Sequence, residues 1–231
     1  MPLLDIELSD NLLTLTLNDP QTNNALSPSM AEELIQSLKG HDFEALCLKA
    51  HGSQFCSGGN LQFYKNLKSR DEGLVYNQRI AEILKALYEW PVPTFVYVQG
   101  GCFGGGIELI TCFDWIMASP SSLFGLWQRR IGLTYGWGGQ KRLEDRIGTA
   151  QAQVWLHGGE TRSAWRAQEM GLVDEVLMRS QADQKIKQRV KRLKAMDPET
   201  FSEVKSHRKN QHQAFQSLWG GPRHSKALEK F

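Results

Sequence analysis

Cysteine is scarce in this chain, and histidine is little more common. Four cysteines (Cys47, Cys56, Cys102 and Cys112) among 231 residues are too few and too widely spaced for a disulfide scaffold, and no CxxC pair exists. The six histidines include no HExxH motif. His207 and His212 stand five apart, off any shared helix face, so no metal site is expected. No glycine run has the GxGxxG spacing of a dinucleotide fold, and GxSxG, the esterase elbow, is absent. The opening MPLLDIELSD has neither a basic nor an apolar leader segment. Long hydrophobic runs are missing too. The one uncharged stretch of membrane length, Trp90 to Ile107, contains Pro91, Pro93 and five glycines, which bar a regular spanning helix. A reduced, cytoplasmic protein that does not enter a membrane is the expectation.

A dominant charge sign is also lacking overall. The chain has 27 Lys and Arg against 25 Asp and Glu, 41% apolar and 23% charged residues, the composition of an ordinary globular protein. The balance hides a split. Residues 1–178 carry 14 basic and 20 acidic side chains, whereas residues 179–231 carry 13 basic and 5 acidic. A uniformly basic nucleic-acid binder is excluded, and a local anion site toward the C-terminus is not.

Periodicity supplies the elements. Leu12–Leu17 alternates as a half-buried strand, and Ser27 caps a helix that starts at Pro28. Apolar runs at Ala45–Ala50, Thr94–Val98, Trp115–Ala118 and Leu172–Leu177 read as strands. Helical spacing recurs over 78–88, 107–112, 139–147, 150–157 and 163–170, and two helical stretches fill 180–215. The tail from about Trp219 reads as poorly structured. Strands and helices alternate up to residue 177, so the expected fold is α/β, with residues 1–178 as the core and 179–231 as a helical appendage.

Two glycine turns carry the chemistry. FCSGGNL (Phe55–Leu61) and GGCFGGGIEL (Gly100–Leu109) each follow a strand, and glycine lets the backbone approach a ligand with its N–H groups outward. One such turn alone is commonly a tight turn and nothing more. Two converging turns make an oxyanion hole, and Glu108 follows the second one closely. These motifs, with NALS (Asn24–Ser27), Phe124-Gly125, GGQKRL (Gly138–Leu143) and RAQEMGLVD (Arg166–Asp174) in that order, resemble the crotonase (enoyl-CoA hydratase/isomerase) superfamily over about residues 10–178. TYGWGG (Thr134–Gly139) and LWGGP (Leu218–Pro222) resemble its ethylmalonyl/methylmalonyl-CoA decarboxylase-like members.

The resemblance implies a spiral of ββα units, a helical C-terminal region that assembles a homotrimer or hexamer, and a place in fatty acid metabolism. It implies an acyl-CoA thioester substrate, with coenzyme A as part of the substrate and no separate cofactor. The N–H groups of Gly59 and Gly105 would polarise the thioester carbonyl. Coenzyme A would lie along Asn24, Ala25, Leu26, Ser57, Gly58, Gly59, Asn60 and Leu61. The basic C-terminal region would complement its phosphates.

Two departures stand out. Where hydratases of the superfamily have a second catalytic glutamate, this chain has Gln128, in GLWQRRIG (Gly125–Gly132), and an amide cannot ionise. Asn60 replaces the usual acid after the first glycine turn. Decarboxylation of a malonyl-type thioester suits one acid, because the breaking C–C bond itself supplies the enolate electrons. Glu108 would then protonate the product carbon, and Gln128, Arg129 or His224 would hold the departing carboxylate. The alternatives are a hydratase or isomerase working with Glu108 alone, and a nucleic-acid or scaffold protein on the same fold. The motive for the last is Lys185–Lys194, with six basic residues in ten. Ile186, Val190 and Leu193 give that segment an apolar face, so its charges are expected to be a solvated face. Trp127 and Trp137 are expected to be core or pocket wall.

Overall fold

A computed structural model describes residues 2–194, 198–207 and 210–229. In chain order the strands are β1 (Leu4–Ser9), β2 (Leu12–Leu17), β3 (Ala45–Ala50), β4 (Gln54–Cys56), β5 (Thr94–Val98), β6 (Gly101–Phe103), β7 (Trp115–Ala118), β8 (Leu123–Gly125), β9 (Thr161–Ser163) and β10 (Glu175–Val176). The helices are α1 (Pro28–Lys39), α2 (Leu61–Lys65), α3 (Arg70–Tyr88), α4 (Gly105–Ile110), α5 (Gly139–Ile147), α6 (Thr149–Gly158), α7 (Ala164–Glu169), α8 (Arg179–Lys194), α9 (Pro198–Ser206), α10 (Gln211–Leu218) and α11 (Pro222–Leu228).

The strands form two sheets. One has six strands in the order β1-β2-β3-β5-β7-β10, the other four in the order β4-β6-β8-β9. Successive units send one strand to each sheet and then a helix: β3 and β4 before α2 and α3, then β5 and β6 before α4. This is the expected ββα spiral. Its consequence is positional. β4, β6 and β8 are parallel neighbours, with Cys56 opposite Cys102 and Phe103 opposite Gly125. The segments that leave their C-terminal ends therefore come out side by side, although some 45 residues of chain separate the first two turns.

Each sheet packs as its sequence demands. β5 and the first four residues of β3 are buried on both faces, as parallel strands are. One face of the large sheet meets α1 and α3 through Met30, Leu34, Ile83, Leu84 and Leu87. The other face receives α8, whose Ala182, Ile186 and Val190 pack on Cys47, Phe95 and Tyr97. The apolar face foreseen for the basic segment is thus its docking face. Lys185 and Arg189 pair with Glu175, whose carboxyl is held below its usual range despite partial burial by its hydrogen bonds to those two cations. α9 is tied down by Lys205, whose buried ammonium donates to Asp114 (2.8 Å) and to the Val92 carbonyl (2.8 Å).

Four expectations need correction. β1 has no counterpart among the expected strands: its exposed Asp5 and Glu7 mask an edge strand. The expected strand over Leu172–Leu177 shortens to β10, because Leu172 and Val173 close the end of α7 with bonds to the Ala167 carbonyl. Among its described residues the C-terminal region has four helices, and the tail holds α11, opened by Pro222 at a first-turn position. Residues 195–197 and 208–209, within the expected helical stretches, lie outside the described residues.

Candidate active site

The two glycine turns meet. A side-chain carbon placed on Gly58 would fall 3.3 Å from the Gly105 nitrogen and 3.1 Å from the Phe103 carbonyl. Gly58 and Gly104 both have positive φ, at 105° and 53°, which glycine adopts without strain. The first turn is braced by a parallel bridge to Leu26. That bridge uses the Gly58 carbonyl and the Asn60 N–H, leaving the Gly59 N–H turned away from it. Gly105 is the first residue of α4 and has no carbonyl four residues back to bond. Among the described residues, neither the Gly59 nor the Gly105 N–H has a hydrogen-bond partner. The structure therefore brings these two predicted residues together as free donors.

Glu108 follows Gly105 by one turn of α4 and is 2% exposed. Its carboxylate is tied into the chain beyond β8. Oε2 accepts from the Trp137 N–H (2.8 Å) and the Gly139 N–H (2.9 Å), and Oε1 accepts from the Gly136 N–H (3.2 Å). The Trp-Gly-Gly motif explains itself here. Gly138 takes φ of 75° to start α5, and a side-chain carbon on Gly139 would lie 2.3 Å from Glu108 Cγ. Arg142, also buried, clamps the junction by donating to the carbonyls of Glu108 (3.2 Å) and Trp137 (3.1 Å).

Gln128 lies in a short 3-10 turn just past β8, on the third of the adjacent strand ends. It is 7% exposed, and among the described residues neither its amide nitrogen nor its amide oxygen has a partner. Another buried polar group without a partner among the described residues escapes sequence reasoning: the Tyr135 hydroxyl, in the segment that feeds Glu108 its N–H donors. Burial, with the Glu108 and Glu144 charges adding to it, raises the Tyr135 hydroxyl above its ordinary range, so the group keeps its proton. The signal in the sequence is only its place in TYGWGG. The other candidates for holding a carboxylate point elsewhere. Arg129 donates to the His157 carbonyl, and His224 accepts from the Gly220 N–H and lies against Trp219 in its own tail.

Trp127 and Trp137, expected as core or wall, differ. Trp127 stacks on Phe103 (3.8 Å between centroids) with Arg130 over it at 4.3 Å. Trp137 is 4% exposed and faces the site. A methyl group on Gly105 would come within 2.1 Å of its Cζ3, and one on Gly59 within 3.4 Å of its Cη2. The indole Nε1 donates to Asn77 of α3 (2.8 Å), which also accepts from Tyr64 of α2 (3.1 Å).

The segment expected to carry coenzyme A is mostly spoken for. The Asn24 amide donates to the carbonyls of His51 and Gln54 (both 2.8 Å) and accepts from the Asp19 N–H (2.9 Å), so its side chain builds the turn. Ala25 and Leu26 are buried, which leaves any contact there to backbone groups. The Asn60 side chain caps α2 by accepting from the Phe63 N–H, a task an aspartate would also perform. Ser57 and Leu61 are exposed. Cys56 and Cys102, beneath the two turns, are raised by burial, Cys56 to about 11, and are no thiolate nucleophiles. Among the described residues no three His, Cys, Asp or Glu side chains converge, and no helix is long and apolar enough to cross a membrane.

Comparison with known proteins places this geometry in context. The sequence profile of the enoyl-CoA hydratase/isomerase family matches residues 7–218. The ethylmalonyl-CoA decarboxylase of Mus musculus is 28% identical over 94% of this chain and 73% of its own length. An enoyl-CoA isomerase/hydratase of Mycosarcoma maydis is 29% identical over 70% of this chain and 64% of its own. The crystal structure of enoyl-CoA hydratase from Bacillus anthracis superposes with a TM-score of 0.88 at 22% identity, covering 99% of this chain and 95% of that one.

Proposed function

Because this chain belongs to the enoyl-CoA hydratase/isomerase family and is an acyl-CoA enzyme, we propose that it removes carbon dioxide from a malonyl-type acyl-CoA. The observation that carries the reading is the second acid position. Gln128 is buried there with its amide unpartnered, so the site has one carboxylate where addition of water across a double bond uses two. The similarity to ethylmalonyl-CoA decarboxylases over 94–98% of this chain and 73–80% of theirs supports the same choice.

The chemistry follows from the donors. The thioester oxygen is received by the N–H groups of Gly59 and Gly105. The electron pair of the breaking C–C bond moves onto that oxygen as an enolate, and carbon dioxide leaves. Donors preorganised for such a charge contribute about 2.7–4 kcal/mol each in comparable sites. The substrate carboxylate is oriented by the Gln128 amide and the Tyr135 hydroxyl. Both are neutral, so they hold the carboxylate without the strong ground-state stabilisation that an arginine would give and the leaving group would have to surrender. Glu108 takes a proton from solvent, for which Oε1, with a single long hydrogen bond, is the oxygen with room, and passes it to the enolate carbon, returning to the carboxylate.

Purified protein given carboxyl-labelled ethylmalonyl-CoA or methylmalonyl-CoA in D2O is expected to release the label as carbon dioxide. The product should carry one deuterium on its α-carbon. Untouched malonyl thioesters alongside hydration of crotonyl-CoA, or migration of a 3-enoyl double bond, would overturn the proposal. They would support the second reading, a single-glutamate hydratase or isomerase, which the Mycosarcoma maydis relative favours.

A further inference from the structure

We infer that Trp137 sets the size of the acyl group: its indole is a fixed wall that restricts the site to short substituents. The inference rests on the acyl-CoA reading above, and on neither choice of reaction within it. The six-membered ring of the indole lies against both glycines whose N–H groups receive the thioester oxygen. A chain attached to that carbonyl therefore starts out beside the ring.

The ring is held at both ends. Its backbone N–H is bonded to Glu108 Oε2, and its carbonyl accepts from Arg142. Its Nε1 is bonded to Asn77, which is itself anchored by donating to the Gly73 carbonyl (2.8 Å). The Tyr64 hydroxyl shares the Asn77 acceptor, and the Tyr64 ring comes within 3.3 Å of a methyl group placed on Gly59. α2 and α3 thereby brace the wall from behind. A side chain with its main-chain and ring polar groups engaged and 4% exposure does not swing aside without breaking several bonds. Long acyl chains are excluded, and removal of the ring opens the space they need.

The test is a binding series, independent of turnover. Coenzyme A, acetyl-, butyryl-, hexanoyl- and octanoyl-CoA are titrated by calorimetry against the wild type, Trp137→Ala and Asn77→Leu. In the wild type, affinity is expected to peak by butyryl-CoA and to fall at least ten-fold by octanoyl-CoA. In Trp137→Ala the order should reverse, with affinity rising roughly four-fold per added methylene, the gain from burying a CH2 group. Asn77→Leu keeps the ring but unpins it, so its octanoyl penalty should shrink; it also supplies the test if Trp137→Ala does not fold. Wild-type affinity that rises through octanoyl-CoA, or an unchanged order in a folded variant, overturns the wall. Failure of every thioester and of coenzyme A itself to bind would overturn the acyl-CoA reading as well. A wild type that decarboxylates nothing yet shows the short-chain preference, reversed in Trp137→Ala, supports the wall and counts against the choice of reaction alone.

Discussion

The N–H groups of Gly59 and Gly105 and the carboxylate of Glu108 lie at the same pair of glycine turns, yet the fold treats them in opposite ways. The N–H groups of Gly59 and Gly105 are left without partners, whereas Glu108 accepts from three N–H groups of a single turn. An unpaired donor in a tight glycine turn stabilises nothing in the folded chain, so its return comes only when a ligand oxygen arrives. Glu108 serves the fold in every state, because it organises the start of α5. Gln128 and Tyr135 fall with the glycines, as buried polar groups without partners. Asn24, Asn60 and Arg142 fall with Glu108. Under the proposed function, the division separates groups kept for a ligand from groups that build the site.

Replacing Glu108 tests that division most severely. Glu108→Ala should lower kcat for decarboxylation by about 10²–10⁴, the usual worth of a positioned acid. It should also destabilise the protein, since the buried N–H groups of Trp137 and Gly139 lose their acceptor at about 1–3 kcal/mol each. Glu108→Gln separates the two roles. Its amide oxygen can still accept from Trp137 and Gly139, so stability should largely recover while turnover does not. If Glu108→Gln keeps wild-type turnover, Glu108 is scaffold alone. Gly105→Ala acts on the other class. The new methyl group meets Trp137 at 2.1 Å, and the shift it forces should cost about 10²–10³ in kcat through a misplaced donor. Thermal melting and steady-state kinetics read both.

How legible each class is in the sequence follows from the same physics. β2 matches its predicted span because its Leu and Thr alternate, and β3, β5 and β7 match theirs because buried strands betray themselves as apolar runs. β4, β6 and β8, which place the site, have three residues each. That is too short for any period, so only the glycines after them signal the turns. Gly59, Gly105 and Glu108 are visible as a local pattern. The donors to Glu108 are not, since they lie 28–31 residues downstream and backbone N–H groups have no residue signature. Tyr135 is hidden for a related reason: an unpartnered hydroxyl is a property of the packing around it. Asn77 holds Trp137 from 60 residues away in sequence, with Tyr64 bonded in turn to Asn77, and no spacing rule joins them.

A smaller effect is expected at the second acid position. Gln128→Glu places a carboxylate where the proposal has the substrate's own carboxylate oriented. Like charges at that range should lower kcat/KM for ethylmalonyl-CoA by about 10–100-fold, a cost of roughly 1.4–2.8 kcal/mol. The loss should shrink as the pH falls and the new side chain takes up a proton. If Gln128→Glu instead leaves decarboxylation unchanged, the amide is a bystander and the carboxylate is held elsewhere. Any gain in crotonyl-CoA hydration by this variant would show how close the site stands to a two-carboxylate enzyme.

The finest contrast lies between two tyrosines. The Tyr64 hydroxyl donates to Asn77, while that of Tyr135 has no partner among the described residues. Removing a hydroxyl that makes a bond should cost stability, on the order of 1 kcal/mol for Tyr64→Phe. Removing one that is buried without a bond relieves its desolvation, so Tyr135→Phe should fold as well as the wild type or better while decarboxylation slows. Alkaline pH gives the second readout. Burial pushes Tyr64 up to about 12, whereas an unfolded tyrosine titrates near 10. Between those values the unfolded chain gives up a proton that the native chain retains. Stability conferred by the neutral phenol is therefore fully present below pH 10 and declines as pH rises toward 12. Tyr64→Phe should flatten that alkaline decline in chemical denaturation, and Tyr135→Phe should do the same, since its hydroxyl is raised in the same direction. Equal losses of stability and of turnover in both variants would erase the distinction between a hydroxyl that builds the wall and one held for the substrate.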